Sequence, residues 1–181
     1  GKPLDDNKIY RIVTIDFLLS GGDNVVALKD AVAIEWKSFQ LDATFKASAD
    51  DNMVDHLAEK YGKEKDWAQG MLDNMTQNAK NAGLDFHFEK AILANSFNAH
   101  RLLHLAKKYH LANDLEELLF KAYLTEGKNI NDNNSLKELG LSVGLNAVEI
   151  DEVLSSDAYG KDVKQDIQNA NAIGVQGVPF F

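Results

Sequence analysis

In this 181-residue chain the side chains equipped for chemistry are a histidine pair, two carboxylate doublets, one glycine-rich turn and one Val-Pro step. His100 and His104 stand four apart, a spacing that puts two imidazoles on one helix face and can hold a metal. A hydrolytic centre also needs a third ligand and a general base, yet Leu-Ala-Lys follows His104. The pair therefore reads as groove or packing histidines, and no metal is expected. Glu116-Glu117 and Asp151-Glu152 are adjacent, so each pair diverges by about 100° around a helix and reads as a solvated face. Ser20-Gly21-Gly22-Asp23-Asn24 can offer backbone N–H groups to an anion at a helix start. Asp23 or Asn24 more simply caps that helix, and a capping carboxylate repels phosphate. Val178-Pro179 is an X-Pro step whose trans preference is only about 0.5–1 kcal/mol, so a fold can lock it cis. His56, His87 and His110 show no partner spacing.

The chain contains no cysteine, which removes disulfides, thiolate zinc sites and cysteine nucleophiles together. With 19 Lys and Arg against 28 Asp and Glu, the net charge of -9 argues against a nucleic-acid partner, whose phosphates need clustered cations. No apolar run approaches the roughly 20 residues of a membrane span. The opening GKPLDDNKIY lacks the apolar core of a signal peptide, so the expectation is a cytoplasmic protein with no membrane partner. No cofactor is implied.

Three zones must position these residues. Ile9 to Phe17 is rich in β-branched and aromatic side chains and predicts a strand; a turn and short helix follow, and Val32 to Leu41 alternates again as a second strand, parallel to the first. From about residue 50 to 160 the sequence predicts a compact helical bundle with short connections. Asp50 or Asp51 would cap its first helix, and Trp67, Met71, Leu72 and Met75 would form the apolar stripe of its second. Trp36, Trp67, Phe86 and Phe88 read as core aromatics. The segment KDVKQDIQNANAIG predicts a last helix, with Val163, Ile167, Ala170 and Ala172 or Ile173 inward and closure at Gly174, feeding GVPFF.

Strand, helix, strand, helical insertion, helix and then Gly-Val-Pro-Phe-Phe is the order of a DsbA-type thioredoxin fold. The segments IEWKSFQL, NSFNAHRLLHLAK, LFKAYLTEGKNINDNNSLKELGLSVGL and DVKQDIQNANAIGVQGVPFF resemble the FrnE-like branch of the DsbA family of thiol-disulfide oxidoreductases, over about residues 32–181. The resemblance implies an α/β thioredoxin-like fold with a large helical insertion. It also implies that the fold is incomplete at the C-terminus, because family members continue past the proline strand. Residues 1–49 would supply the strand-turn-helix-strand part of the core, 50–160 the insertion, and 161–181 the return helix and cis-proline strand. Val178 and Pro179 would pair with substrate, and His100, in the Ala-His-Arg triplet, would line the groove between insertion and core.

Where the family carries Cys-Pro-Trp-Cys, this chain has Leu-Leu-Ser-Gly-Gly-Asp-Asn. Residues 1–31 instead resemble a segment of the C-terminal domain of bacterial 5'-nucleotidases, in which Phe17 would stack on a nucleobase and Asp23 would hold ribose. The chain reads as a hybrid; chimera, mis-assembly and natural fusion all stay open. As written it should be redox-inactive, retaining binding of a peptide or small apolar ligand in the groove. The alternatives are a nucleotide-binding module at Phe17 and Asp23, or a structural fragment that self-associates through an open sheet edge.

Overall fold

The computed structural model describes residues 9–14, 33–46, 52–178 and 180. Strand β1 (Ile9–Thr14) pairs in parallel with β2 (Ala33–Ser38), in a register running from Ile9 opposite Ala33 to Thr14 opposite Ser38. The parallel pairing expected from the two alternating segments is therefore observed. Strand β2 ends at Ser38, short of the predicted Leu41, and the predicted helix between the strands lies outside the described residues.

Helices α1 (Met53–Tyr61), α2 (Lys65–Asn81), α3 (Phe97–Lys108), α4 (Ala112–Leu124), α5 (Asn133–Ser142) and α6 (Ala147–Ser155) come between β2 and α7 (Gly160–Ala172). Their ends follow local chemistry. Asn52 caps α1, its Oδ1 accepting from the Asp55 N–H; Gly62, in the left-handed region, closes the helix by donating to the Ala58 and Glu59 carbonyls. Asp132 and Asn146 cap α5 and α6 in the same manner. The cap of α1 is thus Asn52 rather than Asp50 or Asp51, and α2 begins at Lys65 without a side-chain cap.

Three apolar clusters hold these elements. The largest gathers Leu102 and Leu105 of α3, Leu115 and Leu119 of α4, Leu136 of α5 and Ile150 of α6, all almost wholly enclosed. At about 1.5–3 kcal/mol per buried aliphatic side chain it is the main anchor of the bundle. A second joins Leu57 of α1 to Ala68, Leu72 and Met75 of α2, with Phe88 and Leu93 from the non-helical segment before α3. The third sets Phe39 at the end of β2 against Ala170 of α7, Val175 and Val178. Helix α3 packs on α4, α5, α6 and α7, so it joins the insertion to the strand layer.

Two apolar assignments change. Trp67 is 42% exposed and tilts against Tyr61, because the α2 stripe runs through Ala68, Leu72, Met75 and Ala79, one step round from it. Neither Ala172 nor Ile173 turns inward: both are exposed at the end of α7, Ile173 by 65%, beyond the last buried turn at Ala170. Phe88 is buried as expected, while Phe86 and Trp36 are only partly covered.

The segment before α3 is fixed by its backbone. The His87 N–H donates to the Leu124 carbonyl at 2.6 Å, and Thr125 Oγ1 donates to the Asp85 carbonyl at 2.7 Å. Gly127, at φ +66°, lies so close that a Cβ there would sit 2.6 Å from the Lys90 carbonyl oxygen. A side chain at this position would meet both a strained dihedral and a backbone collision.

Candidate functional site

The densest polar cluster lies where β2, α3 and α7 meet. Asp166 is 7% exposed, on the stripe of α7 that also carries Val163 and Ala170. One of its oxygens accepts the Ser38 N–H at 3.0 Å and lies 3.2 Å from His104 Nε2; Lys107 Nζ approaches the same oxygen at 3.6 Å, and Lys37 Nζ lies 3.7 Å from the other. Tyr159 stacks on the His104 ring at 6.3 Å between centroids. Burial pushes the Asp166 carboxyl up, but the His104 and Ser38 hydrogen bonds and the Lys107 charge outweigh it and hold the group at about 2. Burial likewise pushes the Lys107 ammonium below the ordinary lysine value, against the pull of Asp166.

Serine, histidine and aspartate together invite comparison with a hydrolytic triad. Ser38 Oγ lies 3.2 Å from His104 Nε2, the same nitrogen that faces Asp166. A triad needs the two ring nitrogens to face opposite ways, one to the hydroxyl and one to the carboxylate. Here both groups share one nitrogen, and Ser38 is 2% exposed, so the cluster is an electrostatic clamp between layers.

His100, one turn earlier on α3, is fully enclosed. Its Nε2 lies 3.1 Å from the Phe39 carbonyl, which fixes the proton on that nitrogen and leaves Nδ1 without a partner. Burial first, then the neighbouring His104 charge, lowers its pKa to about 3 against the weaker pull of the Phe39 carbonyl. The His100 ring resonances should therefore stay fixed in an NMR titration from pH 8 to 5; a His100 midpoint near 6.5 would contradict the enclosed geometry. His100 and His104 share a helix face but do not converge on a metal, and among the described residues no three His, Asp or Glu side chains do.

Val178 is buried against Phe39, Ala170 and Val175. Pro179, Phe17 and Asp23 lie outside the described residues. Of the doublets, Asp151, Glu152 and Glu117 are exposed, but Glu116 is 2% exposed. The reading of that doublet as a solvated face is corrected for Glu116, which falls on the α4 stripe with Leu115, Leu119 and Ala122. Sequence reasoning missed Asp166 and Arg101, although each stands at an apolar position of its helix. Arg101, 4% exposed, donates to the carbonyls of Val153, Ser156 and Ala158 and to Asn98 Oδ1.

Between the insertion and the strand layer runs a cleft of about 820 Å³, lined by Gln40, Phe45, Asn95, Phe97, Ile167 and their neighbours. Asn95 is its hinge pin. Its Oδ1 accepts from Gln40 Nε2 at 2.9 Å and from the Phe97 N–H at 3.0 Å, and its Nδ2 donates to the carbonyls of Phe45 and Ala43. A second cleft, of about 990 Å³, is formed by α1, α2 and the segment before α3, and touches neither β2 nor α7. Among the described residues no helix is long and apolar enough to cross a membrane.

Comparison with known proteins bears on this arrangement. Residues 21–181 match the DSBA-like thioredoxin domain family, a match that begins ahead of Val32, where the motif resemblance starts. The fold is similar to that of a probable DsbA oxidoreductase from Streptomyces coelicolor, with a TM-score of 0.76 and 32% sequence identity over 84% of this chain. The chain spans 66% of the length of that protein. No curated protein sequence matches it. Two parallel strands, an α-helical insertion, a return helix against β2 and the family match over residues 21–181 agree: the chain belongs to the DSBA-like thioredoxin domain family.

Proposed function

We propose that these residues form a FrnE-like member of the family that carries out no thiol-disulfide exchange and binds an extended peptide or small apolar ligand in the cleft between insertion and core. The observation behind this reading is an intact-looking cleft in a sequence with no cysteine. Exchange requires one thiolate to attack sulfur and a second to resolve the mixed disulfide. Neither exists in the sequence, whereas the cleft keeps an apolar floor with polar walls, the usual make-up of a ligand site.

The purified chain is expected to leave the rate of insulin reduction by dithiothreitol at its buffer value. An extended peptide is expected to raise the thermal midpoint, by roughly 5–10 °C at a hundredfold excess over Kd. Measurable reductase activity would end the first half of the proposal, and a midpoint unmoved by any peptide would end the second. A rise with adenosine or AMP instead would move the assignment to Phe17 and Asp23.

A further inference from the structure

We infer that the cleft between insertion and core selects acidic peptides, a refinement that rests on the peptide-binding reading above. Its lining contains five carboxamides, from Gln40, Asn95, Asn98, Asn131 and Gln168, and its charged groups are the two ammoniums of Lys46 and Lys164. Among the described residues no carboxylate lines it, although the chain has a net charge of -9. Both lysines are exposed, and neither has an acidic partner among the described residues.

The hydrogen bonds already made decide which ends of the amides remain. Arg101 can only donate, so its 2.9 Å contact fixes Asn98 Oδ1 as acceptor and leaves Nδ2 for the cleft. Asn131 and Gln168 use their side chains in no hydrogen bond within the described residues. Asn95 is saturated by its own four contacts, and Gln40, with Nε2 engaged, keeps Oε1 as an acceptor. The wall thus offers donors from Asn98, Asn131 and Gln168 and positive charge from Lys46 and Lys164, with the amide oxygens of Gln40, Asn131 and Gln168 left to accept a peptide N–H. Phe45, Phe97 and Ile167 supply an apolar floor. A ligand rich in carboxylates and carbonyls, with an apolar side chain between, matches this set: an extended acidic peptide.

The test is calorimetric titration of the whole chain with two acetylated and amidated pentapeptides, Gly-Glu-Phe-Glu-Gly and its glutamine counterpart Gly-Gln-Phe-Gln-Gly, and with free glutarate. The acidic peptide is expected to bind roughly five- to tenfold more tightly than the neutral one, since two solvent-screened charge pairs separate them. The advantage should shrink with added salt. The double variant Lys46→Gln, Lys164→Gln, altered at exposed positions only, is expected to bind the two peptides equally. Equal affinity of the unaltered protein for both peptides would overturn the acidic preference and leave the peptide site standing. Binding of neither peptide would overturn both readings. Binding of glutarate without the peptides would assign the site to small carboxylates and overturn the peptide proposal.

Discussion

Replacing Arg101 with methionine is expected to lower stability by about 3–5 kcal/mol, measured as a fall in the urea midpoint at unchanged slope. The guanidinium closes the end of α6: Nε donates to the Ala158 carbonyl at 2.8 Å, Nη2 to those of Ser156 and Val153, and Nη1 to Asn98 Oδ1. The final carbonyls of a helix have no partner of their own, and a cation there also meets the negative end of the helix dipole. Methionine keeps most of the packing volume but leaves several acceptors dry at a site that is 4% exposed. Arg101→Lys should recover less than half of the loss, because one ammonium cannot span carbonyls that a planar fork reaches together. A loss under about 1 kcal/mol for Arg101→Met would mean that water reaches the α6 terminus and takes over.

Asp166→Asn is expected to cost up to about 2 kcal/mol at neutral pH, with the difference from the unaltered protein vanishing towards pH 2. The bound is an upper one because Lys37 and Lys107 are themselves partly solvated, with side chains 28% and 25% exposed. The groups facing the carboxylate are the Ser38 N–H, His104, Lys107 and Lys37, the last also paired with Glu35. Its folded value of about 2 lies below the ordinary 3.8, so its stabilisation is complete above pH 4 and is lost as pH falls towards 2. His100 acts earlier. With a folded value of about 3 against 6.5, the unfolded chain takes up its proton first, and stability declines from pH 6.5 down to about 3. Urea midpoints measured from pH 7 to 2 should show both limbs in the unaltered protein and only the His100 limb in Asp166→Asn. Parallel curves for the two proteins would refute the ion-pair assignment.

Helices were legible in the sequence wherever a terminator and a stripe coincided. The last helix, read over KDVKQDIQNANAIG with closure at Gly174, is α7 (Gly160–Ala172), displaced by one residue at its start and two at its end. Side chains that break the apolar pattern were not. Asp166, Arg101 and Glu116 are polar residues at inward positions, and a reading by periodicity sends polar residues outward. Their burial depends on partners far away in sequence: Asp166 needs Ser38 and His104, and Arg101 needs the end of α6. Trp67 failed in the opposite sense, since its size argued for the core while its phase on α2 places it at the rim. The lining of the cleft was not legible, because Gln40, Asn95 and Gln168 come from three distant stretches that no local pattern connects, and His100, read for a groove, is enclosed outside it.

The contact between Asp166 and the Ser38 amide has a kinetic consequence. The two residues are 128 positions apart, so in an unstructured chain the closure alone costs about 4 kcal/mol of entropy before any contact rewards it. If α1 to α6 have already condensed, most of that loop is prepaid, because α3 then presents His104 and Lys107 as a ready landing place for both partners. Folding should therefore run from the helical layer inward, with β2 and α7 the last to dock. Pulse-labelled hydrogen exchange reads the sequence of events directly: amides of α3 gain protection first, and that of Ser38 only when α7 arrives.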